Sequence, residues 1–201
     1  PYTSDADIRV AQKGGYPHFM LKEIHEQASS TRSLFSAIRE PFVTQFEAAL
    51  LNARRIFFVA CGSSYHATVV ASYYLNELAK LPSVPVVGGQ FVSMYGESVG
   101  EGDVVVCVSQ SGETKDVIDV VHHCRNRNAR ILSVVNVLGS TLTQLSQLYL
   151  PLGCGFEISV PATKTYTSQV TLFGYLAARM GLRRGSLARE VGEGLLNDLQ
   201  K

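Results

Sequence analysis

The amino-acid sequence predicts an α/β fold, a five-stranded parallel sheet flanked by helices on both faces. Short apolar runs rich in β-branched residues alternate with amphipathic stretches from Arg55 onward. Four of the five runs lack strict polar alternation, as strands covered on both faces should. Strand and helix alternating in this way wind into a parallel sheet with right-handed connections, and ligands of such sheets bind beyond the carboxyl ends of the strands.

Each element has its own signal. Residues 1–17 are polar and hold Gly14, Gly15 and Pro17, an extended lead-in to a helix carrying Phe19, Met20 and Ile24. Phe42, Phe46, Ala49, Leu50 and Ala53 form one stripe at the 3.6-residue period, with Pro41 suited to the start of that helix. The strands are expected at 55–61, 84–88, 103–109, 130–135 and 148–152. Between them, Ala67, Val70, Tyr74, Leu78 and Leu81 mark a helix over 63–80, and Val117, Val120, Val121 and Cys124 one over 114–126. Tyr166, Val170, Phe173, Ala177 and Met180 share a face of a last helix over 163–180. Residues 1–40 are thus expected to be a lead-in and helix, and 41–201 a single domain.

Composition excludes several classes. At 201 residues, roughly 70% of the unfolded surface can be buried. Apolar residues make up 46% and charged residues 17%, which argues against disorder. The net charge of +1, with both signs mixed along the chain, offers no basic field for nucleic acid. No apolar run approaches the ~18 residues of a membrane span, and no N-x-[ST] acceptor occurs. The four cysteines Cys61, Cys107, Cys124 and Cys154 have no C-x-x-C pairing and read as buried free thiols, so a cytoplasmic protein is expected.

Three strand-to-helix turns carry chemistry: Cys61-Gly62-Ser63-Ser64, Ser109-Gln110-Ser111-Gly112-Glu113-Thr114 and Val160-Pro161-Ala162-Thr163-Lys164. A helix start carries unpaired N–H groups and about half a positive charge, so an anion settles there. Ser109, Ser111 and Thr114 add three neutral donors able to surround a phosphate without lysine. Any one such turn is also explained by ordinary helix capping; two hydroxyl-dense, glycine-containing turns on neighbouring strand ends point instead to a shared anion site. Gly62 lacks G-x-G-x-x-G spacing, and no G-K-[ST] occurs, which excludes a dinucleotide fingerprint and a triphosphate P-loop. A monophosphate remains. Cys61 has no sequence-adjacent histidine to activate it, and His122, His123 and Cys124 point in different directions on one helix, so neither a thiol nucleophile nor a metal is expected.

These turns, with Glu157-Ile158-Ser159-Val160-Pro161-Ala162-Thr163-Lys164 and the leading Lys22-Glu23-Ile24-His25-Glu26-Gln27, resemble the sugar isomerase (SIS) domain over nearly the whole chain. Within that family the likeness is to the isomerase halves of glucosamine-6-phosphate synthases. The resemblance implies a flavodoxin-like sheet, a cytoplasmic homodimer, no cofactor, and fructose 6-phosphate or glucosamine 6-phosphate as ligand. It places the phosphate at Ser64, Ser109, Gln110, Ser111 and Thr114, and the sugar at Cys61, Gly62, Ser63 and the segment from Val160 to Ala162. Ala162 stands where the synthases commonly present a serine. The family's base, lysine and partner histidine belong to a second SIS domain and tail, and its amino-terminal cysteine to a glutaminase domain, all outside this chain. No catalytic residue is therefore assigned: Glu113 and Glu157, the acids near the turns, are equally well read as structural carboxylates. A non-catalytic phosphosugar-sensing module and a stand-alone phosphosugar isomerase are the alternatives.

Overall fold

The computed structural model describes residues 12–201. Its elements run α1 (Phe19–Ala37), α2 (Glu40–Leu51), β1 (Arg55–Ala60), α3 (Gly62–Ala79), β2 (Val84–Val87), α4 (Gly88–Tyr95) and β3 (Asp103–Ser109). They continue with α5 (Lys115–Arg125), β4 (Arg130–Val135), α6 (Thr141–Leu145), β5 (Leu148–Pro151), α7 (Lys164–Arg184) and α8 (Arg189–Leu199). The five strands form one sheet in the order β2-β1-β3-β4-β5, and every pairing is parallel. The predicted α/β class and all five strands are present.

Successive side chains of a strand point to opposite faces, and the two cores follow from that alternation. Ile56 and Phe58 of β1, with Val104, Val106 and Val108 of β3, join Phe46, Leu75, Phe173 and Met180 beneath α2, α3 and α7. Phe57 and Val59, with Val105 and Cys107, join Phe91, Val117, Val120 and Val121 beneath α4 and α5. All seven residues of β3 are buried, which is why that strand reads as an unbroken apolar run. Helix α7 is buried almost all round because α1, α3 and α8 surround it. Gly181 lets it approach closely, since a Cβ there would stand 2.5 Å from the Leu78 carbonyl oxygen.

Some expectations change. Phe42 is exposed, and the inward stripe of α2 runs through Val43, Phe46, Ala49 and Leu50. Met20 and Ile24 are exposed as well, while the acidic Glu23 is buried. Val70, Tyr74 and Leu78 are only half-buried. Helices α4, α6 and α8 were not expected: α4 opens on Gly88-Gly89 and α8 carries Gly192 and Gly194, poor helix formers whose cost tertiary packing offsets. A Cβ on Gly88 would meet the Cys61 sulfur at 3.1 Å, and one on Gly192 the Leu182 side chain at 2.5 Å. At the far end of β3, Arg54 and Arg55 clamp the buried Asp103.

Candidate functional site

Strands β1 and β3 are neighbours and parallel, with Ala60 beside Val108, so the turns that follow them emerge side by side at the carboxyl end of the sheet. There they line a pocket of about 280 Å³. Its wall contains Cys61, Gly62, Ser63 and Ser64 from the start of α3; Ser109, Gln110, Ser111 and Thr114 from the turn into α5; and Val160 and Ala162, but not Pro161, from the segment leading to α7. Val108, Glu157 and Ser159 complete it, and among the described residues no lysine or arginine lines it.

The hydroxyls are not consumed by capping. The N-cap positions of α3, α5 and α7 are Cys61, Thr114 and Thr163, and none makes a side-chain cap hydrogen bond. The turn after β3 builds itself instead. Gly112 N–H donates to Ser109 Oγ at 3.0 Å, Glu113 N–H donates to Ser111 Oγ at 3.1 Å, and Ser109 and Thr114 share a hydroxyl hydrogen bond of 2.9 Å. Gly112 makes that curvature possible with φ of +70°, and a Cβ there would lie 2.0 Å from Ser140 Oγ. The Gln110 carbonyl accepts from Asn136 N–H and Val137 N–H, which ties the turn to the end of β4. On the neighbouring rim Gly62 turns with φ of +58°, and the first N–H groups of α3 have no intrahelical acceptors, a natural anion seat.

The third wall is held from a distance. Glu23 of α1 accepts Ile158 N–H at 2.6 Å and Ser159 N–H at 3.2 Å. Glu157 accepts Thr163 N–H at 2.8 Å and also takes the hydroxyls of Thr163 and Thr165. Lys164, buried and outside the pocket lining, is paired with Glu26 at 2.7 Å. Asn136 ties the loop's other end, accepting Cys154 N–H and donating to the Gly155 carbonyl. Val160 is 98% exposed and forms the open rim.

Both acids near the turns accept hydrogen bonds from backbone N–H groups and hydroxyls. The Glu113 carboxylate accepts the N–H and hydroxyl of Thr141 at the start of α6, and those bonds hold its carboxyl below the ordinary value. Cys61 is half-buried against the pocket, whereas burial pushes the Cys107 thiol up and that of Cys124 up to about 12. His123 Nε2 lies 3.0 Å from the Gly96 carbonyl oxygen. Among the described residues no group of three or more His, Cys, Asp or Glu could hold a metal ion, and no helix is long and apolar enough to cross a membrane. Glu23, Ser159 and Gln169, which touches Ser64, were not assigned from sequence. Their roles depend on partners 105 to 136 residues away, and no periodicity reports that.

A family model for the SIS domain matches residues 49–179. The chain belongs to the SIS domain family. The matched SIS region spans β1 to most of α7 and contains all three pocket turns. The chain is 36% identical over 196 residues to glutamine–fructose-6-phosphate aminotransferase (isomerizing) of Thermococcus kodakarensis, covering 96% of this chain and 32% of that protein. It is 40% identical over 175 residues to the same-named protein of Pyrobaculum aerophilum, covering 86% of this chain and 29% of that one. This SIS chain therefore spans about a third of the length of such relatives. Among solved structures, the C-terminal domain of glucosamine-fructose-6-phosphate aminotransferase from Francisella tularensis superposes with a TM-score of 0.83 at 26% identity, covering 94% of this chain and 55% of that one. The sugar isomerase domain of an RpiR transcription factor from Sphaerobacter thermophilus shares the fold, with a TM-score of 0.72 at 13% identity.

Proposed function

We propose that this SIS domain binds a hexose 6-phosphate, fructose 6-phosphate or glucosamine 6-phosphate, as the first SIS domain of a glucosamine-6-phosphate synthase. One observation carries the reading: two hydroxyl-rich turns on adjacent parallel strands face one pocket beside the unpaired N–H groups at the start of α3. Ser64, Ser109, Gln110, Ser111 and Thr114 hold the phosphate, while Cys61, Gly62, Ser63, Val160 and Ala162 meet the sugar. A methyl group at Ala162 replaces a hydroxyl contact there. Neutral donors suit a dianion that must later leave, because each charge-assisted hydrogen bond contributes about 1.5–3 kcal/mol without the tighter hold of an ion pair.

Ketose–aldose isomerisation needs a carboxylate within hydrogen-bond reach of the carbon-bound proton it moves. Glu113 and Glu157 are both occupied by backbone and hydroxyl donors. The chain alone accordingly binds without turnover. Isomerisation and amino transfer require a second SIS domain and a glutaminase domain, in a cytoplasmic homodimer. The division into a lead-in and helix over 1–40 and a domain body over 41–201 is part of this reading; residues 1–11 of that lead-in lie outside the described residues, and α1 straps the third pocket wall through Glu23.

Isothermal titration with fructose 6-phosphate tests this. Ser111→Ala is expected to weaken binding about tenfold. Unchanged affinity overturns the assignment of that turn, and aldose–ketose conversion by the isolated chain in a coupled assay overturns the binding-only view.

A further inference from the structure

The pocket hydroxyls share a polarity. Ser109 Oγ and Ser111 Oγ each already accept a backbone N–H, from Gly112 and Glu113. A hydroxyl has one proton to give, and an N–H on its oxygen steers that proton elsewhere. Ser64, on the neighbouring rim, has no such backbone donor among the described residues; its oxygen instead accepts Nε2–H of Gln169 at 3.0 Å. Gln169 is 1% exposed, on the second turn of α7, and its Oε1 is buried with no hydrogen-bond partner among the described residues. With the amide turned the other way, both N–H groups would be buried without an acceptor, against one N–H and the carbonyl in the arrangement shown, and an orphaned buried N–H is the rarer state of the two.

We propose that Gln169 is a positioning residue: by donating to Ser64 Oγ it holds the Ser64 hydroxyl as a donor toward the phosphate pocket. It does with a side chain what the turn after β3 does with its own backbone, and the two rims so present protons to one anion. The inference rests on the phosphate reading given above.

A double-mutant cycle tests it. Gln169→Leu is expected to lower affinity for fructose 6-phosphate about tenfold by calorimetry, and Ser64→Ala by a similar factor. In the Ser64→Ala background the Gln169→Leu loss disappears, whereas in a Ser111→Ala background it adds in full. An undiminished loss in the Ser64→Ala background shows a merely structural role and overturns the proposal, as does unchanged or tighter binding by Gln169→Leu alone. If Gln169→Leu does not fold, Gln169→Met, closer in volume, takes its place. A second readout needs no ligand: a Gln169 side-chain amide proton exchanges slowly by NMR in the wild type and quickly in Ser64→Ala. Exchange indifferent to Ser64→Ala overturns the hydrogen-bond polarity itself, while a wild-type chain that protects this proton yet binds no sugar phosphate strikes the proposed function instead.

Discussion

The turn after β3 and the segment from 152 to 163 wall the same pocket, yet they are held in opposite ways. Ser109, Gly112, Ser111, Glu113 and Thr114 bond one another over two to five residues, and the turn is anchored to the most buried strand of the sheet. The segment from 152 to 163 contains no helix or strand and is fastened by Glu23, Asn136 and Glu157, two of which lie on other parts of the chain. A turn bonded to itself and a wall tied down by two carboxylates and an amide respond differently to the same perturbation. Local bonds re-form whenever the turn closes, whereas long-range straps depend on the docking of α1.

The largest expected effect breaks the self-built turn. Gly112→Ala puts a side chain at φ of +70° and a Cβ 2.0 Å from Ser140 Oγ. It should cost about 2–4 kcal/mol in urea unfolding and abolish calorimetric binding of fructose 6-phosphate. The strapped wall should fail more selectively. Glu157→Ala removes the acceptor of the Thr163 N–H and two hydroxyls, so about 2–3 kcal/mol is lost. Hydrogen exchange should rise over 156–165 and stay unchanged over 109–114. Equal acceleration of both segments would dissolve the distinction.

A smaller effect lies at the opposite end of β3, where acid can be used in place of mutation. Burial pushes the Asp103 carboxyl up, but hydrogen bonds from Arg55, Arg54 and the Gly100 N–H outweigh it and hold the group at about 2. Because this value is lower than that of an unfolded aspartate, the stabilisation is present above about pH 4 and is lost as pH falls towards 2. Asp103→Asn should flatten the pH dependence of stability in that window by about 1–2 kcal/mol while leaving the exchange of both pocket walls at neutral pH unaltered. The smallest effect is Glu23→Gln, which keeps one oxygen for the Ile158 N–H: about 1 kcal/mol, with faster exchange confined to 158–159.

Much of this was legible in the chain. The strand runs, the covered α5 face of Val117, Val120, Val121 and Cys124, and the hydroxyl-rich turns all depend on neighbours within a few residues, and local spacing records them. Phe42 misled because a helix stripe can be drawn through it or through Val43, and only the position of the sheet chooses between them. Helices α4 and α8 escaped notice because their glycines are tolerated for packing against Cys61 and Leu182, contacts invisible along the chain.

By itself, then, the sequence determined the parallel α/β architecture and the chemistry of the turns, since side-chain alternation, helix period and glycine-plus-hydroxyl turns are short-range properties. Only the tertiary structure decided that the N-cap residues of α3, α5 and α7 make no side-chain cap bond, that Glu113 and Glu157 are occupied, and that Glu23 and Gln169 reach the site from α1 and α7. Those facts depend on which groups burial brings together across 28 to 135 residues of chain, or on what a carboxylate finds beside it once the loop has closed.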